Sequence, residues 1–308
     1  MLYMKKFSPY FILMLFAVLC NGAENSNTLE LPRKNISAHS FKADETDVAG
    51  QKRYRILTDH YDITAFRLTE GKLAGERLEH LAQAWKLLAT EYMKESVNEL
   101  PQHRHKVIVY RDKQEYTLHL FRIEPSIART NGFYFSPRKT AYFFSPLEAK
   151  VLFHEGTHQI FEEHFFREST PVFRNNFWVV EGIALFMETL KIDDKSYKIG
   201  DIFADRLYSA KVYRLERKHV LPIEKLTAMS AWEIQQRADL QEIYSQSATL
   251  VHWLMFADAG RYRDSLFELL RRTYLGSSSA ETLRELSGLS FEELDARYAE
   301  FLQAIPED

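Results

Sequence analysis

Residues 151–161 have the sequence Val-Leu-Phe-His-Glu-Gly-Thr-His-Gln-Ile-Phe. His154 and His158 are four residues apart, and residues at this spacing lie on one face of an α-helix. Both imidazoles could therefore bind one metal ion, and Glu155, about 100° around the helix from His154, could contact a water molecule on that ion. Apolar residues flank the motif on both sides, which predicts a buried helix in which unpartnered imidazoles and a carboxylate would be costly.

The start of this helix is predicted from a second pattern. Ser145-Pro146-Leu147-Glu148 has the spacing of a capping box, with proline at the first helical position. The same spacing at Ser290-Phe291-Glu292-Glu293 predicts another helix start near the end of the chain. Gly156 costs a helix interior about 1 kcal/mol relative to alanine, so we interpret it as leaving room for a neighbouring backbone.

A second apolar stretch supplies the remaining candidate ligands. Residues 178–188, Trp-Val-Val-Glu-Gly-Ile-Ala-Leu-Phe-Met-Glu, favour a buried helix. Glu181 lies 23 residues after His158, which is enough chain to pack this helix against the first, and it is the candidate third metal ligand. Glu188, two turns further along the same face, could accept the free N–H of a ligand imidazole. Zinc favours nitrogen and oxygen donors in tetrahedral sites, and a catalytic site keeps one position for water.

Working outward, the rest of the chain predicts an α+β fold with a small mixed sheet followed by a mainly helical half. Apolar periodicity predicts a long amphipathic helix over 70–95. Strands are predicted at 53–58, 106–110, 133–136 and 140–144. We therefore expect one domain over 51–308, divided into a sheet-containing half, 51–144, and a helical half, 145–308, that carries the candidate site.

The strand at 140–144 leads directly into the candidate metal helix. Two interpretations are open for it. Its edge could align an extended peptide by strand addition, or it could be an ordinary core strand.

The N-terminal region predicts export, to the periplasm or the exterior. Two lysines precede an apolar run from Phe7 to Cys20, and small residues follow, a pattern typical of a signal peptide over 1–23. An uncleaved membrane anchor is the alternative; after cleavage we expect no stable membrane insertion. Residues 24–50 are polar without apolar periodicity and predict a disordered leader. Cys20 is the single cysteine, so no disulfide framework is expected.

Composition narrows the class of protein. The 308 residues are 45% hydrophobic and 27% charged, which is typical of soluble globular domains and excludes collagen, wholesale disorder and a polytopic membrane protein. The chain has 40 basic and 43 acidic residues, so it has no basic excess that would indicate a nucleic acid partner.

The remaining histidines are given structural interpretations. His60 is predicted to be a turn residue, although it could approach the site. His103 and His105 stand among charges at a strand start and are predicted to be solvated, whereas His252 has apolar neighbours that indicate core packing.

The two motifs together resemble those of the gluzincin metallopeptidases, most closely the secreted or periplasmic branch called peptidase MA-like. The residues that carry the resemblance are His154-Glu155-x-x-His158 and Trp178-x-x-Glu181-Gly182-x-Ala184-x-x-x-Glu188. In element order the resemblance extends roughly from residue 50 to the end of the chain, but these two motifs are its specific part.

The resemblance implies a zincin-like fold and zinc-dependent hydrolysis of peptide bonds, as an endopeptidase acting on a peptide or protein substrate. It implies zinc held by His154, His158 and Glu181, with Glu155 as the general base. It also implies a tyrosine from a later helix that stabilises the oxyanion, and Tyr244 has a similar position and surroundings.

The sequence departs from the aminopeptidase relatives in two respects. Val180 stands where they have an asparagine, and their Gly-x-Met-Glu-Asn motif for the substrate amine is absent. Two other functions are therefore kept beside the peptidase: a catalytically inactive, zinc-containing gluzincin-like binding protein, and a metal-free helical interaction domain. The presence of Glu155 favours the enzyme, because an inactive relative has no need of a general base.

Overall fold

The computed structural model of the protein describes residues 28–33, 42–48, 50–93, 103–165, 172–219 and 221–306. Within these ranges the fold is mixed α+β, with a six-stranded sheet, a three-stranded sheet and helices packed against them. The strands are β1 (Leu29–Pro32), β2 (Lys42–Val48), β3 (Gln51–Leu57), β4 (Tyr61–Ala65), β5 (His105–Tyr110), β6 (Phe133–Phe135), β7 (Thr140–Phe144), β8 (Lys191–Ile192) and β9 (Ser196–Ile199).

The helices in the same ranges are α1 (Leu68–Leu88), α2 (Lys113–Leu120), α3 (Ala149–Phe165), α4 (Phe177–Met187), α5 (Asp205–Leu215), α6 (Ile223–Ala228), α7 (Ala231–Gln235), α8 (Leu240–Gly260), α9 (Arg263–Tyr274), α10 (Thr282–Ser287) and α11 (Phe291–Ala304). α1 continues into a short π-helical segment at Ala89–Met93. The predicted helix over 70–95 is thus confirmed up to residue 93, and residues 94–95 lie outside the described ranges.

The larger sheet has the strand order β2-β3-β4-β5-β7-β6. β4, β5 and β7 run parallel, while β2, β3 and β6 are antiparallel to their neighbours. The predicted strands correspond to β3, β5, β6 and β7 to within two residues. β7 is hydrogen-bonded on both sides, to β5 and to β6. The core-strand interpretation of 140–144 is therefore correct, and the edge strands among the described residues are β2 and β6.

Two parts of the predicted leader form strands, so the expectation of a disordered leader over 24–50 is wrong for them. β1 pairs with β9 near the middle of the chain, and Leu29 and Leu31 on one face of β1 are buried. β2 pairs with β3 as an antiparallel hairpin. β1 forms a strand because it pairs with β9 and buries two alternating leucines. Because β9 is far away in the sequence, no local pattern predicts this pairing. The predicted signal peptide at 1–23 lies outside the described residues.

The second half is less uniformly helical than predicted, because β8 and β9 lie between α4 and α5. None of the described helices is both long enough and apolar enough to span a membrane.

The two predicted capping boxes have different outcomes. At the start of α11, the Ser290 side chain accepts from the Glu293 backbone N–H and the Glu293 carboxylate accepts from Ser290, as predicted. The prediction at Ser145 is wrong, since α3 begins only at Ala149. Ser145 belongs to the end of the sheet instead: its N–H donates to the Tyr110 carbonyl and its hydroxyl to Glu70.

The helices that carry the candidate site are packed closely. A Cβ added to Gly156 of α3 would lie 2.6 Å from a methyl carbon of Leu81 on α1, so the prediction of a neighbouring backbone is wrong and the close neighbour is a side chain. A Cβ on Gly182 of α4 would lie 2.7 Å from the Ser247 carbonyl oxygen of α8. Every residue of α4 is buried. α4 itself packs against both α3 and α8.

Candidate metal site

Side chains from α3 and α4 converge at one point, as the sequence predicted. His154 Nε2 lies 3.2 Å from His158 Nε2 and 3.5 Å from Glu181 Oε2, and His158 Nε2 lies 3.8 Å from the same oxygen. Glu181 is buried, and both imidazoles are mostly buried. Within the described ranges, this is the one group of three or more histidine, cysteine or acidic side chains with the spacing of a metal site.

The spacing of these three atoms suits a zinc ion. The point that is equidistant from these three atoms and in their plane lies about 2.0 Å from each. A tetrahedral ion displaced out of that plane would lie about 2.2 Å from each, and both distances fall within the roughly 2.0–2.2 Å at which zinc binds imidazole nitrogen and carboxylate oxygen. Two imidazoles and one carboxylate also leave a fourth position free in a tetrahedral site. The three residues therefore could hold a metal ion and leave room for a water molecule.

Glu188 lies where the sequence placed it. It follows the last residue of α4, and its Oε1 is 2.8 Å from His154 Nδ1. A carboxylate in this position accepts the N–H of the imidazole and so directs the lone pair of Nε2 toward the other candidate ligands.

The protonation states of the three candidate ligands depend on their burial and on the charges of their neighbours. Burial lowers the pKa of His154, but hydrogen bonds with Glu181 and Glu188 outweigh it and raise that pKa well above the usual value. Burial holds the pKa of His158 at about 4, although the Glu181 charge opposes this. Burial alone would raise the pKa of Glu181, yet the two histidines and Tyr244 lower it below its usual range. A neutral His158 and an ionised Glu181 are the forms that bind metal ions.

Glu155 is held by the edge strand of the larger sheet. Its Oε2 accepts a hydrogen bond of 2.8 Å from the backbone N–H of Tyr134 in β6. Burial raises the pKa of the Glu155 carboxyl above its usual value, against the opposing effects of His154 and of the Tyr134 N–H. A raised pKa suits a group that takes up a proton and later returns it.

Tyr244 reaches the site from α8. Its phenol lies close enough to the Glu181 carboxylate for the two groups to interact electrostatically. Burial raises the pKa of Tyr244 well above its usual value, and the negative charges of Glu181 and Glu155 add to this. The phenol therefore stays protonated and can act as a hydrogen-bond donor beside the candidate ligands.

Sequence reasoning missed a group behind Glu155. The Tyr134 hydroxyl donates to Glu162 Oε1 at 3.3 Å, and the Ser136 hydroxyl donates to the same oxygen. Glu162 is seven residues after Glu155, so both acids lie on one face of α3 and hold the same edge strand. The seven-residue spacing can be read from the sequence, but the contact between this face of α3 and the edge strand cannot. Burial raises the pKa of Glu162 to about 7.

The other histidines have structural partners. His60 Nδ1 lies 2.6 Å from Glu79 Oε2, in agreement with a structural turn residue. The buried His252 lies 3.1 Å from the Gly200 carbonyl oxygen, as its apolar surroundings indicated. The prediction of a solvated His105 is wrong, because this side chain is 1% exposed and its Nδ1 lies 2.9 Å from Glu163. His103, which remains half exposed, contacts the same carboxylate.

Comparison with known proteins adds no family. No family model matches the sequence, and no curated protein matches it. The resemblance to gluzincins therefore depends on the two sequence motifs.

Proposed function

We propose that the protein is a zinc-dependent hydrolase of peptide bonds with a zincin-like arrangement of sheet and helices. The observation that carries the proposal is the convergence of His154, His158 and Glu181 on a point about 2.0 Å from each donor atom. Glu155 and Tyr244 interact electrostatically with the candidate ligands, so a candidate base and a candidate hydrogen-bond donor accompany them. A metal site with a purely structural role would need neither.

The residues divide the chemistry between them. A zinc ion bound there would supply Lewis acidity to a water molecule and to the substrate carbonyl. Glu155 would take a proton from the attacking water as the new C–O bond forms. It would then deliver that proton to the amide nitrogen as the C–N bond breaks, which releases a carboxylic acid and an amine. Tyr244 would donate its hydroxyl hydrogen to the carbonyl oxygen as negative charge develops there.

A peptide substrate also has a place to bind beside the site. β6 is one of the two edge strands of the larger sheet, and its Tyr134 N–H donates to Glu155. An extended peptide added to a sheet edge is aligned by main-chain hydrogen bonds. In this proposal β6, and not the strand at 140–144, aligns the extended peptide by strand addition. The scissile bond of the peptide then lies next to Glu155.

The proposal is tested by metal analysis followed by cleavage of casein or a quenched peptide, with and without a chelator. We expect zinc at one equivalent, cleavage by the zinc-loaded chain, loss of cleavage with chelator, and recovery on addition of zinc. Zinc at one equivalent without chelator-sensitive cleavage would indicate the inactive binding protein instead. A chain purified without metal and unable to bind it would support the interaction domain. Export of the mature chain stays a prediction and is tested by cell fractionation.

A further inference from the structure

A cavity of about 780 Å³ adjoins the candidate metal site. Its wall is formed by the start of α3, the end of α4 and the first turn of α5, and it includes Glu188, the residue that contacts His154. Apolar side chains contribute much of the lining, among them Phe153, Leu185, Phe186 and Leu190. This volume is in the range of cavities that enclose small ligands. A large apolar side chain of a substrate would fit there.

Three cationic side chains line this cavity, and they differ in whether a carboxylate neutralises them. Two already have a carboxylate 3.2 or 2.7 Å away, namely Lys150 with Asp205 and Lys191 with Asp201. The third, Arg206, donates to the Gln241 side-chain oxygen at 2.8 Å, and this partner is neutral. Within the described ranges Arg206 has no carboxylate partner, so its charge is available to a ligand.

Arg206 is placed on the side of the cavity next to the site. Its partner Gln241 lies three residues before Tyr244 on α8, so the two residues share a helix face. Both Gln241 and Glu188, which contacts His154, line this cavity together with Arg206.

We propose that Arg206 binds the terminal carboxylate of a peptide whose last, apolar side chain occupies this cavity. A guanidinium matches a carboxylate with two parallel hydrogen bonds. The cavity wall favours an uncharged side chain, and the residue that carries both an apolar side chain and a carboxylate is the C-terminal one. This inference rests on the proposed hydrolase function and refines it: the site cleaves close to the C-terminus of its substrate.

The test uses two peptides that end in phenylalanine and differ only at the chain end, one a free acid and the other a carboxamide. With the zinc-loaded full chain, we expect kcat/KM to be about 10- to 100-fold higher for the acid, as for loss of a hydrogen bond to a charged group. Arg206→Gln should remove this preference. Lys191→Gln is the matched control, because it removes a cation of the same cavity that Asp201 already neutralises, and it should keep the preference.

A binding measurement separates this inference from the hydrolase proposal. Calorimetry uses Glu155→Gln, in which hydrolysis should be slower by about 100-fold or more. We expect tighter binding of the acid than of the carboxamide, and Arg206→Gln in the same background should remove the difference. If the chain hydrolyses the acid and the carboxamide with equal kcat/KM, the inference is wrong and the hydrolase proposal is unaffected. A preference for internal aspartate or glutamate over the free chain end overturns it as well. Arg206-dependent binding without hydrolysis supports the inference and contradicts the hydrolase.

Discussion

His154 and Glu188 form a hydrogen-bonded pair across two helices, with 2.8 Å between the imidazole Nδ1 and the carboxylate Oε1. The pair joins the middle of α3 to the end of α4. Because Nδ1 carries the hydrogen, Nε2 is the atom that faces His158 and Glu181. In the neutral form of His154 that would bind a metal ion, this relationship sets both the tautomer and the orientation of the first candidate ligand.

The first prediction concerns this pair. Replacing Glu188 by alanine should weaken zinc binding by about 10- to 100-fold, because the imidazole loses the group that orients it. Glu188→Gln, which keeps an acceptor oxygen, should lose less. Competition with a chromophoric chelator measures both affinities. Glu216→Gln, at an exposed acid after α5, is the control and should leave the affinity unchanged. Equal zinc affinity in wild type and Glu188→Ala would show that the pair does not orient a ligand.

The second prediction separates metal binding from turnover. Glu155→Gln should retain zinc and lose most peptide hydrolysis, on the order of a 100-fold or greater fall in kcat, since general base catalysis typically contributes about 10²–10⁴-fold. Zinc content and kcat are measured on the same preparation. Glu148→Gln, at an exposed position just before α3, should retain activity. Undiminished hydrolysis by Glu155→Gln would refute its role as the base.

The third prediction concerns the phenol on α8. Tyr244→Phe should lower kcat by about 100-fold while the zinc content stays the same, as expected for loss of one donor to a developing oxyanion. Steady-state kinetics with a quenched peptide provide the measurement. Tyr298→Phe removes another buried phenol, one that contacts Thr249 instead of a candidate ligand, and should leave kcat unchanged. A change confined to KM in Tyr244→Phe would assign the phenol to substrate binding.

The fourth prediction is a pH dependence of stability. Burial raises the pKa of Glu162 from 4.5 to about 7, so the folded state favours the protonated acid. The contribution to stability is fully present below pH 4.5 and is lost as the pH rises through about 7. Glu162→Gln cannot ionise, so its free energy of unfolding relative to wild type should improve between pH 4.5 and pH 8, by an amount on the order of 2–3 kcal/mol.

Denaturant titrations of both chains at pH 4.5 and pH 8 test this. The difference between the chains isolates residue 162, because the other groups titrate in both. A difference that is the same at both pH values would show that Glu162 is not held in its protonated form.

The sequence predicts those features of the site that follow from local periodicity, and not those that depend on contacts between distant segments. The spacing of His154, His158, Glu181 and Glu188 on two helices determined their faces in advance, because helical periodicity is a local property. The predicted convergence needed only that the two helices pack together, and their apolar surfaces favour that. The ligand geometry was therefore accessible from the sequence.

Contacts between distant segments were not accessible. Tyr134 lies against Glu155 because β6 pairs with β7 at the edge of the sheet. Local sequence patterns do not predict the order of strands in a sheet. β1 is ordered by pairing with β9, which lies far along the chain. His105 is buried by Glu163, a partner on α3 that its charged sequence neighbours do not reveal.

A local rule also failed where a tertiary contact competed with it. Ser145 has the spacing of an N-cap, but its hydroxyl donates to Glu70 on α1 and its backbone continues the hydrogen bonding of the sheet. The helix accordingly begins four residues later, at Ala149. Ser290, whose capping partner is within its own turn, followed the rule.

The zinc content of the purified full chain tests the central claim most directly. It is measured by mass spectrometry after dialysis against a low concentration of free zinc, for wild type and for Glu181→Ala. We expect one zinc ion per chain in wild type and almost none in the variant, because two imidazoles alone do not complete the site. Wild type without zinc, or equal zinc in both chains, would contradict the account.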